Sequence, residues 1–454
     1  MGQLQQKLRP RHVQMIALGG AIGAGIFQGS AETIHAAGPG VLISYFFAGL
    51  LLFVVMSALA EMALANKGLD LRGLLFKALG YQVSFVIGWF YFITWILVMA
   101  VEITAAGSFL KFWFPDQPLW LLSFLIALIL IGLNLLSVGL FGEVEFWLTG
   151  IKIFTLLAFV VLGAGLMFGL IPTDHPPMLS NLTAHGGFLP LGWTGLVSSL
   201  LIVIFSYGGT EMVGLTITEM KNPEQSLPKV IKSVILRIFL FYVFPLFIIM
   251  GLIPWNEVGR AGSPFVQVFS AVGFKGVAHM MNFILLIAVT SAANTGIYSS
   301  SRVLYSLARQ KEAPAIFSRL NRNGVPVNSL IVSGASLFLG SIVALFAQEK
   351  VFQYLMGIPG YSTILLWMMI CLAQLKLRKQ YQQMPFFKVA LYPYLTMLTF
   401  GILATIFVAL LFNPDNMVNS IVYASLMTVL IITAKLKSSQ LTGDPLPDTP
   451  TSTS

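Results

Sequence analysis

Two charged side chains lie inside long apolar runs of the sequence, where ionised groups are rare. Lys152 follows FGEVEFWLTGI, and Glu102 lies within VMAVEITAAG. If these runs cross a bilayer, an isolated charge there costs roughly 2.5–3.5 kcal/mol, so each group needs a partner or has to lose its charge. Such groups act in proton relays, ion sites and ligand recognition. A lysine can instead extend its ammonium to the membrane surface, and a glutamate can belong to a structural ion pair.

Glycines interrupt the first apolar run, RHVQMIALGGAIGAGIF, at several positions. Backbone groups freed in hydrocarbon must find partners. If the chain unwinds between Gly23 and Gly25, a second half-helix begins near Ile26 with unpaired N–H groups, which suit a carboxylate. Close packing of helices on a glycine-rich face is the alternative.

A second apolar run is interrupted in the same way, at Ser206, Tyr207, Gly208 and Gly209. The two interruptions fall in the first and sixth of the predicted spans, which are corresponding members of two five-span halves. Paired interruptions of this kind indicate a secondary transporter with inverted repeats and a binding site near the middle of the membrane.

The composition predicts an all-α polytopic membrane protein. Of 454 residues, 57% are hydrophobic and 9% are charged, against roughly a quarter charged in soluble domains, and the mean hydropathy is +0.86. The net charge of +9 is distributed over loops, so no nucleic-acid partner is expected. The single cysteine, Cys371, excludes an intrachain disulfide. The five histidines have no spacing of a metal site, and neither metal nor cofactor is expected.

Apolar periodicity and length predict about twelve transmembrane spans. Their expected ranges are 12–36, 41–65, 83–109, 118–139, 146–170, 194–219, 232–253, 277–305, 327–347, 352–375, 388–411 and 417–435. The transport core is expected over 12–375, with halves at 12–170 and 194–375, and two additional helices over 388–435. Tails are expected at 1–11 and 436–454, the second of them disordered.

The basic residues predict that both termini are cytoplasmic. Lys111, Arg260, Lys275 and Lys350 are the basic residues of the outer segments under this orientation. Lys152 lies within a span, and the other 21 of the 26 lie in inner segments. This asymmetry follows the positive-inside rule.

Several motifs occur in the order of a known family across the whole chain. They are RHVQMIALGGAIGAGIF, AGPGVLISYFFAGLLLFVVMSALAEM, FGEVEFW, FSYGGTEMVGLTITEMKNPEQSLPK and SAANTGIYSSSRVLYSLARQKEAP. The chain resembles amino acid permeases of the amino acid, polyamine and organocation (APC) superfamily, in their bacterial and fungal amino acid transporter branch. It departs from the branch at Ser57 and Ala60, where Arg and Gly are common, and at Ala24, where a hydroxyl is frequent. The resemblance implies a five-plus-five inverted repeat with spans 1 and 6 broken, two extra helices, and proton-coupled uptake of an amino acid at the cell membrane.

An amino acid zwitterion brings two charges that suit two broken helices. We expect its carboxylate to be bound by the amides of Gly23, Ala24, Gly25 and Ile26. We expect its ammonium to be bound by carbonyls at Ile22, Phe205, Ser206 and Gly208. The aromatic side chains of Phe205 and Tyr207 are candidate gates over the ligand, and plain packing is the alternative for both.

The resemblance places Lys152 where sodium-coupled relatives bind a cation between helices 1 and 8. The lysine is therefore a candidate for proton coupling. Its ammonium would bridge carbonyls near Gly19 and Ile22 to a hydroxyl such as that of Ser291, and loss of its proton to the inside would reset the carrier.

Three glutamates receive expectations of their own. Glu102 is expected to face the pocket or to form a structural ion pair. Glu211, just after the second interruption, is expected to cap the outer half of span 6 through its first-turn amides. Glu61, at the inner end of span 2, is expected to be a gate or loop partner of nearby Lys and Arg side chains.

Other functional classes lack their signals in the sequence. An enzyme would need a cluster of catalytic groups or metal ligands, ATP-driven transport a GxxxxGK[ST] loop, and a channel a filter repeat or charge rings. The expected partners are an amino acid, protons and the lipid bilayer. An amino acid exchanger, a sodium-coupled carrier and a receptor that does not transport are the alternatives.

Overall fold

The fold is all-α throughout the part of the chain that the computed structural model describes. That part comprises residues 15, 19, 22–136, 141–171, 179–211, 214, 223–260, 262–271, 273–321, 324–347 and 351–441. Nine helical stretches in this part are long and apolar enough to cross a membrane, and two shorter apolar helices accompany them. Three of the nine, Gly29–Ala65, Leu227–Leu252 and Val327–Phe346, each combine two of the helices given below. The prediction of an all-α polytopic membrane protein is confirmed. The predicted tail at 1–11 lies outside the described residues.

The helices follow the predicted spans closely, and the second predicted span, 41–65, has the observed bounds. Their ranges are α1 Ala24–Phe27, α2 Gly29–Ala37, α3 Val41–Ala65, α4 Leu71–Leu79, α5 Tyr81–Leu110, α6 Leu119–Leu136, α7 Phe141–Met167, α8 Gly192–Tyr207, α9 Pro223–Ile238, α10 Phe244–Leu252, α11 Pro264–Ala271, α12 Lys275–Arg309, α13 Val327–Ala335, α14 Phe338–Ala347, α15 Val351–Leu377, α16 Tyr394–Leu411 and α17 Met417–Leu441.

The first predicted span is interrupted, as its glycines indicated. Met15 and Gly19 are helical, whereas Ile22 and Gly23 form a bend. Gly23 is extended, with φ −148° and ψ −152°, and α1 begins at the next residue. One turn residue, Gln28, separates α1 from α2.

The sixth predicted span is interrupted at the predicted place as well. Helix α8 ends at Tyr207, Gly208 is extended with ψ 149°, and a turn continues to Glu211. Gly209 has φ +90°, a conformation that a residue with a Cβ rarely adopts. Both predicted breaks are therefore present, and the inverted relation between the two halves stays a prediction.

The interruptions aside, three helix ends differ from the predicted spans by six residues or more. Helix α9 begins at Pro223 rather than at 232, and α16 begins after Pro393 rather than at 388. Proline lacks a backbone N–H but fits the first turn of a helix, so it is common where a helix begins. Helix α17 continues to Leu441, past the predicted end at 435, and 442–454 lie outside the described residues.

Helix α7 shows how the buried charges are positioned. Trp147, Phe154 and Val161, seven residues apart, are exposed by 65%, 73% and 69%. On the buried side of the same helix, Glu145 and Lys152 are exposed by 0% and 1%. An apolar exterior with charges turned inward is typical of helices that face lipid.

The long helices α5, α12 and α15 form the centre of the packing. Helix α5 packs against both of the others, and α15 also packs against α8. Cys371 lies on α15 and is fully buried. Helices α1 and α2 pack against α8, so the two interrupted segments face each other.

Candidate functional site

A small cavity lies between the two interrupted segments. It is lined by Gly23, Gly25, Thr94, Trp95, Val98, Glu102, Phe205, Ser206, Gly208, Gly209, Glu211, Pro359 and Thr363. Its volume is about 30 Å³, which is room for about two water molecules. Six of the predicted site residues meet at this cavity, and it must widen before an amino acid can enter.

The backbone approach across the cavity is closest at Gly25. A Cβ built on Gly25 would lie 2.9 Å from the Cα of Ser206, closer than real Cβ atoms come to backbone. The glycine therefore allows α1 and α8 to meet, which brings the two interruptions into one site.

The side chain of Glu102 already occupies one of the predicted carboxylate contacts. Both of its carboxylate oxygens accept a hydrogen bond from the N–H of Ala24, each at 2.9 Å. Glu102 is 3% exposed. The amide next to the first interruption therefore binds a carboxylate, as its geometry suggested, and in this structure the carboxylate belongs to the protein.

The carbonyls predicted to bind the substrate ammonium are partly engaged. The carbonyl of Phe205 accepts a hydrogen bond from Gly208 N–H at 2.9 Å, and that of Ser206 accepts one from the Tyr242 hydroxyl at 2.8 Å. Since a carbonyl oxygen has two lone pairs, each retains capacity for one more donor. Ile22 lines a separate cavity together with Tyr207 and Tyr242.

The two candidate gate aromatics differ in position. Phe205 lines the cavity between the interrupted segments. The hydroxyl of Tyr207 donates to the carbonyl of Tyr45 at 2.7 Å, and its ring packs edge-on against Tyr45 and Tyr242, with centroids 5.8 and 4.7 Å away. The structure therefore places Tyr207 in aromatic packing, away from the cavity that Phe205 lines.

Lys152 lies outside the cavity lining and contacts the backbone of the first predicted span. Its Nζ donates to the carbonyl of Gly19 at 3.1 Å and lies 3.9 Å from Glu145 Oε1. Ser291 Oγ donates to the two oxygens of Glu145 at 2.8 and 2.9 Å. The predicted contact with Gly19 is present, whereas the predicted direct contact between Lys152 and Ser291 is replaced by one through Glu145. The side chain of Lys152 is 0% exposed, so its ammonium ends inside the protein.

Glu145 was not among the residues predicted from the sequence, although its spacing carried a signal. Glu145, Thr149 and Lys152 are separated by four and three residues, which places them on one face of a helix. Thr149 Oγ1 donates to Glu145 Oε1 at 3.3 Å. Since the partner on α12, Ser291, is 146 residues away in sequence, no local pattern could have identified it.

Glu211 accepts a backbone hydrogen bond within the second interruption. Its Oε1 accepts from Gly209 N–H at 3.1 Å. The outer half of span 6, whose first-turn amides Glu211 was predicted to cap, lies outside the described residues except for Gly214. Glu211 is 2% exposed and lines the same cavity as Glu102.

A third group of charges lies at the ends of α3 and α15. Glu61 Oε2 accepts from Arg378 at 3.0 Å and from Val389 N–H at 2.7 Å, and Glu61 Oε1 accepts from Gln374 at 3.0 Å. The expectation that Glu61 pairs with a basic side chain is confirmed. Arg72 and Glu312 form another buried pair.

Comparison with known proteins adds a family to this geometry. The family model described as amino acid permease matches residues 12–440. An uncharacterized amino acid permease, YvbW, of Bacillus subtilis is 41% identical over 94% of this chain and 96% of its own length. The gamma-aminobutyric acid permease of the same organism is 37% identical, over 95% of this chain and 93% of its own.

Two further similarities concern a second named substrate and the fold. The aromatic amino acid transport protein AroP of Salmonella typhimurium is 38% identical, over 91% of each chain. A crystal structure of a mutant of the manganese transporter of Eremococcus coleocola aligns with a TM-score of 0.63 and 15% identity, over 96% of this chain and 94% of that one. At 15% identity, the similarity to the manganese transporter concerns the fold alone.

Proposed function

The chain belongs to the amino acid permease family, and we propose that it imports an amino acid across the cell membrane by alternating access, as a symporter with protons. Family membership and the names of the relatives support amino acid transport by a multi-pass membrane protein. The coupling, the alternating access and the cytoplasmic position of both termini belong to the proposal. The observation that carries it is the contact between Lys152 and the carbonyl of Gly19, beside the first interruption.

Substrate binding in this proposal begins with an exchange of carboxylates. The substrate carboxylate takes the N–H groups of Gly23, Ala24 and Gly25, and it displaces Glu102 from the amide of Ala24. The N–H of Ile26, which the sequence also predicted for this role, already donates to the carbonyl of Gly23 at 3.2 Å. The exchange replaces one charge-assisted hydrogen bond by another, so the loss of the first contact is offset. Movement of the Glu102 side chain also enlarges the cavity that it lines.

Proton coupling in this proposal depends on Lys152. Protonated, it holds the backbone at Gly19 against α7, with Glu145 as the nearby counter-charge. Once it has lost its proton, a lysine has no charge to pair with Glu145, and the backbone near the first interruption is released. Binding and release of one proton thereby change how the first interrupted segment is held, which is the segment that contacts the substrate.

The candidate substrates follow from the names of the relatives. One is named for gamma-aminobutyric acid and another for aromatic amino acids. Both kinds of molecule carry an ammonium and a carboxylate, which fit the two sets of backbone groups at the cavity. We assign the choice among these substrates to the side chains that line the cavity.

Uptake by the purified protein in liposomes tests the proposal. Labelled 4-aminobutyrate and the twenty proteinogenic amino acids are offered with an inward proton gradient, with an inward sodium gradient, or with unlabelled amino acid inside. We expect one or a few of them to accumulate with the proton gradient and without sodium. Uptake that requires internal amino acid would show an exchanger, uptake that requires sodium a sodium-coupled carrier, and binding without any uptake a receptor.

A further inference from the structure

The cavity between the interrupted segments has an unbalanced set of charges. Two carboxylates, those of Glu102 and Glu211, are among the residues that line it, and none of the described lining residues is basic. Carboxylates buried in a membrane protein require partners. A ligand with positive charge would supply what the lining lacks.

The two carboxylates differ in how far their oxygens are satisfied. Both oxygens of Glu102 accept from Ala24 N–H. Glu211 uses Oε1 for Gly209 N–H, whereas its buried Oε2 has no hydrogen-bond partner among the described residues. The hydroxyl of Thr94, which lines the same cavity, is likewise buried without a partner there. An acceptor and a hydroxyl are therefore available on facing elements.

An unpaired carboxylate oxygen in a buried site costs free energy that a plain capping role does not require. A cap of the turn at Gly209 uses one oxygen and would be served by a neutral side chain. The second oxygen of Glu211 is left without a donor among the described residues, and the residue lines the cavity between the interrupted segments.

We propose that Glu211 is the anionic receptor for the ammonium group of the transported amino acid, with Thr94 as a polar neighbour. This inference rests on the proposed function and deepens it. The backbone carbonyls at Phe205 and Ser206, each already bonded once, then supply secondary contacts. A carboxylic acid that matches the substrate but lacks its amino group leaves the Glu211 oxygen unpaired and binds more weakly than the amino acid.

The experiment compares ligand pairs that differ only in the amino group. The full-length protein in detergent is screened by thermal shift and calorimetry with the twenty proteinogenic amino acids and 4-aminobutyrate. The tightest of them is then compared with its deaminated acid, for instance butyrate for 4-aminobutyrate or 3-phenylpropionate for phenylalanine. The quantity of interest is the dissociation constant of the deaminated acid divided by that of the amino-bearing probe. This ratio is measured for the wild type and for Glu211→Gln.

We expect Glu211→Gln to weaken binding of the amino-bearing probe about 10-fold or more and to leave the deaminated acid nearly unchanged, because a charge-assisted hydrogen bond is lost. Glu32→Gln is the matched control, since Glu32 is exposed on α2 and the change in charge is the same. An unchanged ratio in Glu211→Gln overturns the assignment, whereas the proposed function is decided separately by uptake of the same amino acid into liposomes by the wild type. Failure of the wild type to bind any of these probes overturns both.

A second variant covers the case in which Glu211→Gln does not fold. Glu211→Asp keeps the charge and withdraws the carboxylate by one methylene. We expect it to lower the same ratio by about 3-fold, since the hydrogen bond to the ammonium lengthens. The melting temperature without ligand shows that the variant is folded, and an unchanged ratio in that folded protein also overturns the assignment.

Discussion

Two buried charge clusters in this molecule are built differently. At the ends of α3 and α15, Glu61 accepts three hydrogen bonds, and its contact with Arg378 is 3.0 Å long. On α7, Lys152 lies 3.9 Å from Glu145 and donates to the carbonyl of Gly19. The first cluster joins the ends of continuous helices, whereas the second joins a continuous helix to an interrupted one. A carboxylate that accepts several hydrogen bonds, such as that of Glu61, is suited to hold helices together. The more widely spaced pair of Lys152 and Glu145, beside an interruption, is suited to change partners.

The comparison predicts its largest effect at Glu61. Glu61→Gln leaves the guanidinium of Arg378 without its counter-charge, and removal of one partner from a buried pair costs about 3–5 kcal/mol. We expect a clear fall in melting temperature, while the protein that remains folded still shows uptake driven by a proton gradient. Loss of proton-driven uptake without loss of stability would assign coupling to Glu61 and remove the distinction between the clusters.

Lys152→Gln is predicted to act on coupling instead. Coupling free energies of about 1–3 kcal/mol correspond to about 5–150-fold, and we expect the stimulation of uptake by an inward proton gradient to fall by a factor within this range. Uptake in liposomes at several external pH values measures it. Lys111→Gln, at an exposed lysine that follows α5, is the control. Undiminished uptake that still responds to pH would reject the role of Lys152.

Gly25→Ala tests the close approach that brings the two interruptions together. The added Cβ would meet the backbone of Ser206, and overpacking of this kind costs about 1–3 kcal/mol. We expect a lower melting temperature and weaker amino acid binding. At Gly401, on α16, a Cβ would meet no heavy atom within 4 Å, so Gly401→Ala should leave both unchanged. Equal effects of the two variants would show that Gly25 is not a contact point.

The smallest effect is expected for the surface pair of Lys67 and Glu224. Their side chains are 77% and 54% exposed, although the contact is only 2.6 Å long. Exposed pairs contribute about 0–1 kcal/mol, so Lys67→Ala should scarcely change the melting temperature, and less so at high salt. A loss as large as that of Glu61→Gln would mean that burial is not what separates the strong pairs from the weak ones.

The elements were largely predictable because a span depends on local composition. The length of the apolar run located α3 to the residue. Glycines located both interruptions, because a positive φ or a close approach of two backbones requires a residue without a Cβ. The contacts of the site were less predictable. Glu102 reaches Ala24 across 78 positions, and such pairs depend on how helices rotate against one another. The spacing from Glu145 to Lys152 was readable, whereas the partner Ser291 on another helix was not.

The burial of Cys371 makes the native chain a ready background for chemical labelling. The thiol is 0% exposed, and it is the only one in the sequence. A maleimide probe should therefore report on an introduced cysteine alone, without prior removal of the native one. Cysteines placed near either mouth of the pathway would then record, through their reaction rates, which side of the membrane the cavity opens to.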